Sequence, residues 1–563
     1  MKIIFKYYII LTSFFFLSSF KIDENDNYRL SPEVESNYNF HQKVLKNKKE
    51  IIVSANPYAT QMAKKILDAG GNAADAAVTL QLVLGLVEPQ SSGLGGGSFA
   101  LFYDQSKKKI TNYSGRETAP ENVSQNLFLK NNGNPKKFFD AVVGGISVGV
   151  PGTLETLYQI HKDFGNLSWV ELIDPVIKLA KNGFIPPKRF KEAIKKEKYL
   201  WNQNINIDYF NSIRENPEKR VSNYEYSRTL EKIAENYRDF YEGKIAKAIV
   251  KKVNNAKNNP GALSMSDMKN YKVQKKDALC IELKTNIFCG PNLPSSGGIS
   301  IAQALLLYEN YGFNHKESFN NLLNILEFVY VERSKYLADS DFQYVNQEEL
   351  IDLKYLKKKF ESFLKQNSKS SSISFKDLLS STSHFSIVDK HGNVISMTSS
   401  IENTFGSRLY VEGFLLNNQL TDFSFLPVKD KKPVKNKVEG GKRPLSSMSP
   451  IIILDKNNEF LLSIGSPGGT AIISYVFKTI IDLVYKNVEP LNSIRKGNYL
   501  KKKNTIILET GFFDINQMKE KLLNDNERLI ERRLTSGIAI IKKDGEYYEG
   551  AADIRRDGTV IGK

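Results

Sequence analysis

Leu378-Leu379-Ser380-Ser381-Thr382-Ser383-His384-Phe385-Ser386-Ile387-Val388-Asp389 joins two unlike textures. To its left lies a Ser/Lys-rich run, residues 368–374, with little to bury. To its right, Phe385 and Ile387 alternate with polar residues. Val394 and Ile395 resume the pattern after Lys390-His391-Gly392-Asn393. That spacing predicts a strand, a turn and a second strand. The hydroxyl-rich knot 380–383 therefore falls where a loop becomes a strand. A threonine placed there has one special option. If the Ser381–Thr382 bond is cut, Thr382 gains a free α-amine with a reference pKa of about 7.7–8.0. That amine can take the proton of its own hydroxyl, so one residue serves as nucleophile and base. The plainer reading is a loop threonine ahead of a strand, and spacing alone favours it.

The chain on either side differs in kind. Upstream, a short strand near Ile51–Ser54 precedes a helix over 58–69 that stops at Gly70-Gly71, and Asn72 caps a second, Ala-rich helix over 73–86. A glycine-rich loop, 89–98, leads into a strand over 99–103. It lacks Gly-Lys-Ser/Thr and precedes a strand, so it reads as close backbone packing, not as a phosphate cradle. Residues 186–275 and 318–365 read as helical. Downstream, strands dominate: 384–389, 394–401, 408–416, 450–455, 459–464, 505–509, 537–542 and 546–551, with a helix over 471–485. A strand-rich centre with helical flanks suits stacked sheets covered by helices.

The chain has 563 residues, 41% apolar and 25% charged, an ordinary globular composition with a net charge of +17. The lysines are spread out. The densest cluster, 429–437, holds an acid and a proline and reads as a solvated loop, which argues against nucleic acid as a partner. Lys2 and Lys6, an apolar run over 7–17 and Ser18-Ser19 read as a secretory signal, residues 1–20, followed by a flexible leader, 21–48. The run is short for a membrane span and no cysteine follows it, so the expectation is export to the periplasm or medium without a stable membrane anchor. Cys280 and Cys289 bracket a hairpin pattern. They read equally as a cross-strand disulfide or as two small buried side chains. The five histidines match no metal spacing, so neither metal nor cofactor is expected.

A Ser-His-Asp hydrolase is weakly supported. Gly465-Ser466-Pro467-Gly468-Gly469 misses the nucleophile elbow, and His384 reads as a satisfied strand histidine. The downstream segments 382–389, 404–407, 416–424, 442–450 and 465–469, with the upstream segments 93–97, 116–120, 148–152 and 294–298, resemble in order the γ-glutamyltransferase (glutathione hydrolase) family. The match runs over roughly residues 50–563.

That resemblance implies an α+β fold, the four-layer αββα sandwich of N-terminal-nucleophile hydrolases. It implies cleavage between Ser381 and Thr382 into a large subunit, 49–381, and a small subunit, 382–563, sharing one domain. It implies a γ-glutamyl acyl-enzyme on Thr382, passed to water or to an amino acid or peptide. Ser400 matches a threonine supporting the nucleophile, with Thr398 beside it, and Gly468 and Gly469 match the oxyanion hole. Arg116, Ser446 and Ser447 match contacts to the substrate α-carboxylate, and Asp422 with Gln419 to the α-ammonium. Glu402 stands where the best-studied members carry asparagine as a substrate contact; some members and acylase-like relatives resemble this chain there. No aromatic follows Phe425 in the loop to Arg443, which implies a more open pocket. Two other readings compete. One is an amide acylase of the same fold, for which Asp422 has no use. The other is an unprocessed binding protein, which the complete residue set opposes.

Overall fold

The computed structural model describes residues 43–204, 207–312, 318–365, 381–502, 505–522 and 527–563. The signal segment, most of the leader and the Ser/Lys-rich run lie outside these residues.

Two seven-stranded sheets form the centre. The first runs Thr559–Gly562, Ile51–Ser54, Ser381–Val388, Val394–Glu402, Gly97–Asp104, Lys109–Gly115, Gln274–Asp277. The second runs Val44–Asn47, Tyr547–Ala552, Ala539–Asp544, Phe460–Gly465, Ile451–Leu454, Ile287–Gly290, Leu279–Glu282. Their facing sides bury Val53, Leu101, Val388, Val394, Ile452, Ile541 and Val560 together, which is the alternation expected of stacked sheets. Helices cover both outer faces. Ala73–Val87, Thr153–Phe164 and their neighbours pack on the first sheet; Gly297–Tyr311, Phe319–Tyr336 and Ile472–Ile480 pack on the second. The αββα layering is thus the observed one.

Both sheets interleave strands from before and after Thr382. In the first, Ser381–Val388 lies between Ile51–Ser54 and Val394–Glu402, and Val394–Glu402 pairs in turn with Gly97–Asp104. Neither half can close its hydrogen-bond ladders without the other.

Two expectations are corrected. The leader ends sooner than residue 48, because Val44–Asn47 is an edge strand paired with 548–551. The strand expected over 408–416 is a small hairpin, Tyr410–Val411 with Phe414–Leu415. Its turn is forced at Gly413, whose φ is 86° and whose α-carbon faces the Tyr226 backbone too closely for any side chain. The loop after Asp422 folds into the hairpin Val428–Lys429 with Lys432–Pro433, and Leu426, Lys429 and Val434 line the cleft. Cys280 and Cys289 face each other across adjacent strands and are disulfide-bonded.

Candidate active site

Thr382 is the second residue of its strand and only 1% exposed. The register with the neighbouring strand slips between Ser381 and Thr382: Ser381 faces Glu402, while Thr382 faces Ser400. The extra residue makes a bulge at the peptide bond in question, and Glu402 takes a φ of 75°, a region that side chains avoid. Non-glycine residues held there mark sites where local strain is maintained by the surroundings.

The bulge brings three groups into one chain of hydrogen bonds. The Thr382 hydroxyl donates to Ser400 Oγ at 3.2 Å, and Ser400 Oγ donates to the carbonyl oxygen of Ser381 at 2.7 Å. The Glu402 backbone N–H donates to Ser400 Oγ at 2.8 Å and fixes it. Ser400 therefore bridges the Thr382 hydroxyl and the carbonyl of the bond before it. Arg556 Nη1 donates to the Thr382 carbonyl at 3.0 Å, and burial pulls that guanidinium down to about 9. Behind Ser381, its hydroxyl donates to Ser91 Oγ at 3.0 Å, Arg189 donates to the same oxygen at 3.1 Å, and Glu88 lies 3.4 Å from Arg189. Burial pushes the Glu88 carboxyl up to about 7 against the pull of Arg189.

Thr382 lies at the floor of a cleft of about 560 Å³, also lined by Ser400, Glu402, Gln419, Asp422, Ser446, Ser447 and Gly469. Gly468 and Gly469 turn the backbone at φ 131° and 59°, and the Tyr475 ring at Gly468 leaves no room for a side chain. Gln419 Nε2 donates to Asp422 Oδ2 at 3.2 Å. Gln419 Oε1, Ser447 Oγ and Arg116 Nη1 are buried with no hydrogen-bond partner among the described residues. Unsatisfied buried polar atoms are rare enough that each calls for a reason, and a ligand is one.

Arg116 is fully buried and is not among the residues that line the cleft, and most of its donors are engaged. Nε donates to the Pro444 carbonyl at 2.9 Å, and Nη2 donates to Asp422 at 2.5 Å and to Leu445 at 3.2 Å. Asp422 is the cleft-facing member of the pair, its side chain 30% exposed. Glu402 accepts from Asn418 Nδ2. His384 is no base. Its Nδ1 lies 2.9 Å from Thr398 Oγ1, and burial pushes the imidazole down to about 3.

Sequence reasoning missed Arg556, Glu88, Ser91 and Arg189. Ser91 sat in the quoted glycine-rich loop, but nothing local ties any of them to Thr382.

The family model described as Gamma-glutamyltranspeptidase matches residues 59–563. The glutathione hydrolase proenzyme of Pseudomonas aeruginosa is 32% identical over 535 residues, covering 90% of this chain and 93% of that one. The proenzyme of the same name from Bacillus subtilis is 30% identical over 561 residues, 93% of each chain. Among solved structures, a cephalosporin acylase from Bacillus halodurans superposes with a TM-score of 0.81 over 93% of this chain and 97% of its own, at 21% identity, a likeness of fold. A gamma-glutamyltranspeptidase from Pseudomonas nitroreducens complexed with L-DON is 30% identical, with a TM-score of 0.51, over 56% of this chain and 94% of that chain.

Proposed function

The chain belongs to the gamma-glutamyltranspeptidase family, and from that premise we propose that it cleaves itself before Thr382 and then uses Thr382 to hydrolyse or transfer the γ-glutamyl group of glutathione and related amides. The observation that carries this reading is the bridge at Ser400, which joins the Thr382 hydroxyl to the Ser381 carbonyl.

That bridge supports self-cleavage. Thr382 Oγ1 adds to the Ser381 carbonyl carbon while Ser400 donates to the carbonyl oxygen on which charge develops. The C–N bond breaks, the Thr382 nitrogen takes the hydroxyl proton, and the amide becomes an ester. Water hydrolyses the ester, leaving a carboxylate on Ser381 and a free amine on Thr382. The two subunits stay together because both sheets need strands from each.

The mature site then repeats the chemistry on a substrate. The Thr382 amine takes the proton from Oγ1, which attacks the γ-carbonyl carbon, and in this reading the backbone N–H groups of Gly468 and Gly469 donate to the oxyanion. The proton passes to the leaving nitrogen as the C–N bond breaks. Water or an incoming amine then opens the ester. Asp422, oriented by Arg116 and Gln419, pairs with the substrate α-ammonium; Ser446 and Ser447 take its α-carboxylate. Glu402, held by Asn418, lies on the ammonium side. An acylase for substrates without an α-amine has no use for Asp422. No metal or cofactor takes part in these steps. Among the described residues no helix is long and apolar enough to cross a membrane, and export rests on residues 1–20 of the sequence.

The test is turnover of a γ-glutamyl anilide beside a glutaryl anilide. The reading expects preference for the γ-glutamyl compound and a raised KM for it in Asp422→Ala. Equal use of both, or an unchanged KM, contradicts it.

A further inference from the structure

The cleft is larger than a γ-glutamyl group requires, and its outer part differs in charge from its floor. Its carboxylates, Glu402 and Asp422, are both engaged, one by Asn418 and the other by Arg116. Its lysines are not. Lys136 and Lys137 sit just before the helix Phe138–Val142, and Lys429 lies on the hairpin beyond Asp422. No hydrogen bond or ion pair reaches their ammonium groups from any described residue. Arg333, whose Nε donates to Ser296 Oγ at 2.8 Å, adds a fourth positive charge to the lining. The exposed Lys137 and Lys429 stand on separate segments at the rim, while Thr382 lies buried at the floor.

A second lysine-lined cavity, near the turn 104–109, is arranged differently. There Lys107, Lys109, Lys275 and Lys276 each lie within 2.7–3.6 Å of an aspartate: Asp104, Asp277, Asp163 and Asp341. Further along the hairpin segment two lysines are engaged. Lys435 donates to the Tyr344 carbonyl, and Lys442 pairs with Glu439. Cations left without counter-ions around a low-dielectric cleft focus its field on incoming anions.

We propose that this rim selects negative charge on the amide side of the donor. The preferred substrates are γ-glutamyl amides of amino acids or short peptides carrying more than one carboxylate, ahead of those with a neutral side chain. The preference rests on the reading of Thr382 and Asp422 given above. The γ-glutamyl group is held at the floor, and the leaving amine, or the amine that accepts the acyl group, extends toward Lys136, Lys137 and Lys429.

Two near-isosteric donors isolate the effect: γ-glutamyl-glutamate and γ-glutamyl-glutamine, each assayed by disappearance on the mature two-fragment enzyme. At low ionic strength kcat/KM should favour the glutamate donor by on the order of tenfold. The ratio should shrink toward one at 1 M salt, where the screening length is about 3 Å. It should also shrink in Lys136→Gln/Lys137→Gln/Lys429→Gln. The salt series on the unaltered enzyme, and Lys429→Gln alone, decide the matter if the triple variant fails to fold. Equal kcat/KM for the two donors at low salt overturns the preference while leaving the proposed reaction intact. A ratio indifferent to the substitutions overturns the assignment to these lysines. Turnover of neither donor by cleaved protein overturns both.

Discussion

The hairpin 381–402 has two polar ends, and they are finished differently. At the turn, Asp389 is saturated. Its carboxylate accepts from the backbone of His391, Asn393 and Ala73 and from Asn393 Nδ2, all at 2.8–3.0 Å. The one residue there with a left-handed backbone is Gly392, which suits that conformation. At the other end a bulge breaks the register, Glu402 holds a conformation that glycine would fill more easily, and the nearby Ser447 and Gln419 keep unsatisfied atoms. Both ends are polar: Asp389, His391 and Asn393 at the turn, and Ser381, Thr382, Ser400 and Glu402 at the other. What separates a structural polar cluster from a reactive one is whether its hydrogen-bonding capacity is used up within the protein.

Three substitutions bear on that contrast. Ser400→Ala removes the donor to the Ser381 carbonyl, and loss of one such donor is worth about 3 kcal/mol or more. Self-cleavage should slow by on the order of a hundredfold, followed on a denaturing gel, with little change in unfolding midpoint. A normal cleavage rate would separate Ser400 from the reaction. Asp389→Ala should do the reverse. It leaves several backbone donors unpaired, at roughly 1–3 kcal/mol of stability by denaturant titration, yet the protein should still cleave. Loss of cleavage in a folded Asp389→Ala protein would blur the two ends.

The third concerns His384, midway between them. In the folded chain burial holds its imidazole down to about 3, whereas unfolded histidine titrates near 6.5. Below about pH 6.5 the unfolded state takes a proton that the folded state refuses. Stability from this group therefore falls as pH drops toward 3, by at most about 4–5 kcal/mol. His384→Gln should flatten that acid limb in urea titrations between pH 6 and 4. An identical slope in the variant would assign the limb to other groups.

The layering was legible because the strands around Thr382 alternate apolar and polar residues and the flanking helices carry apolar faces. The floor of the site was legible through its motifs: Thr382, Ser400, Gln419, Asp422, Ser446, Ser447 and Gly469 all line one cleft. The rest was hidden for physical reasons. Val44–Asn47 is a four-residue edge strand with half its side chains turned outward, so its pattern resembles a polar leader. Lys43 anchors its start to carbonyls of Arg556 and Gly558, more than 500 residues away. The resemblance assigns Arg116 to a substrate carboxylate, but its partners within the protein, Asp422 and two carbonyls from 444–445, lie more than 300 residues away in sequence. The Glu88–Arg189–Ser91 support of Ser381 joins segments about 100 and 290 residues apart, which no local pattern reports.

The central claim is that the bond at the unsaturated end of the hairpin is the one that breaks. Intact-mass analysis and N-terminal sequencing of the purified protein test it directly. The account predicts two chains, the smaller beginning at Thr382, and a single uncleaved, inactive chain for Thr382→Ala. A full-length chain that turns over γ-glutamyl donors, or a new N-terminus at any residue other than Thr382, would contradict it.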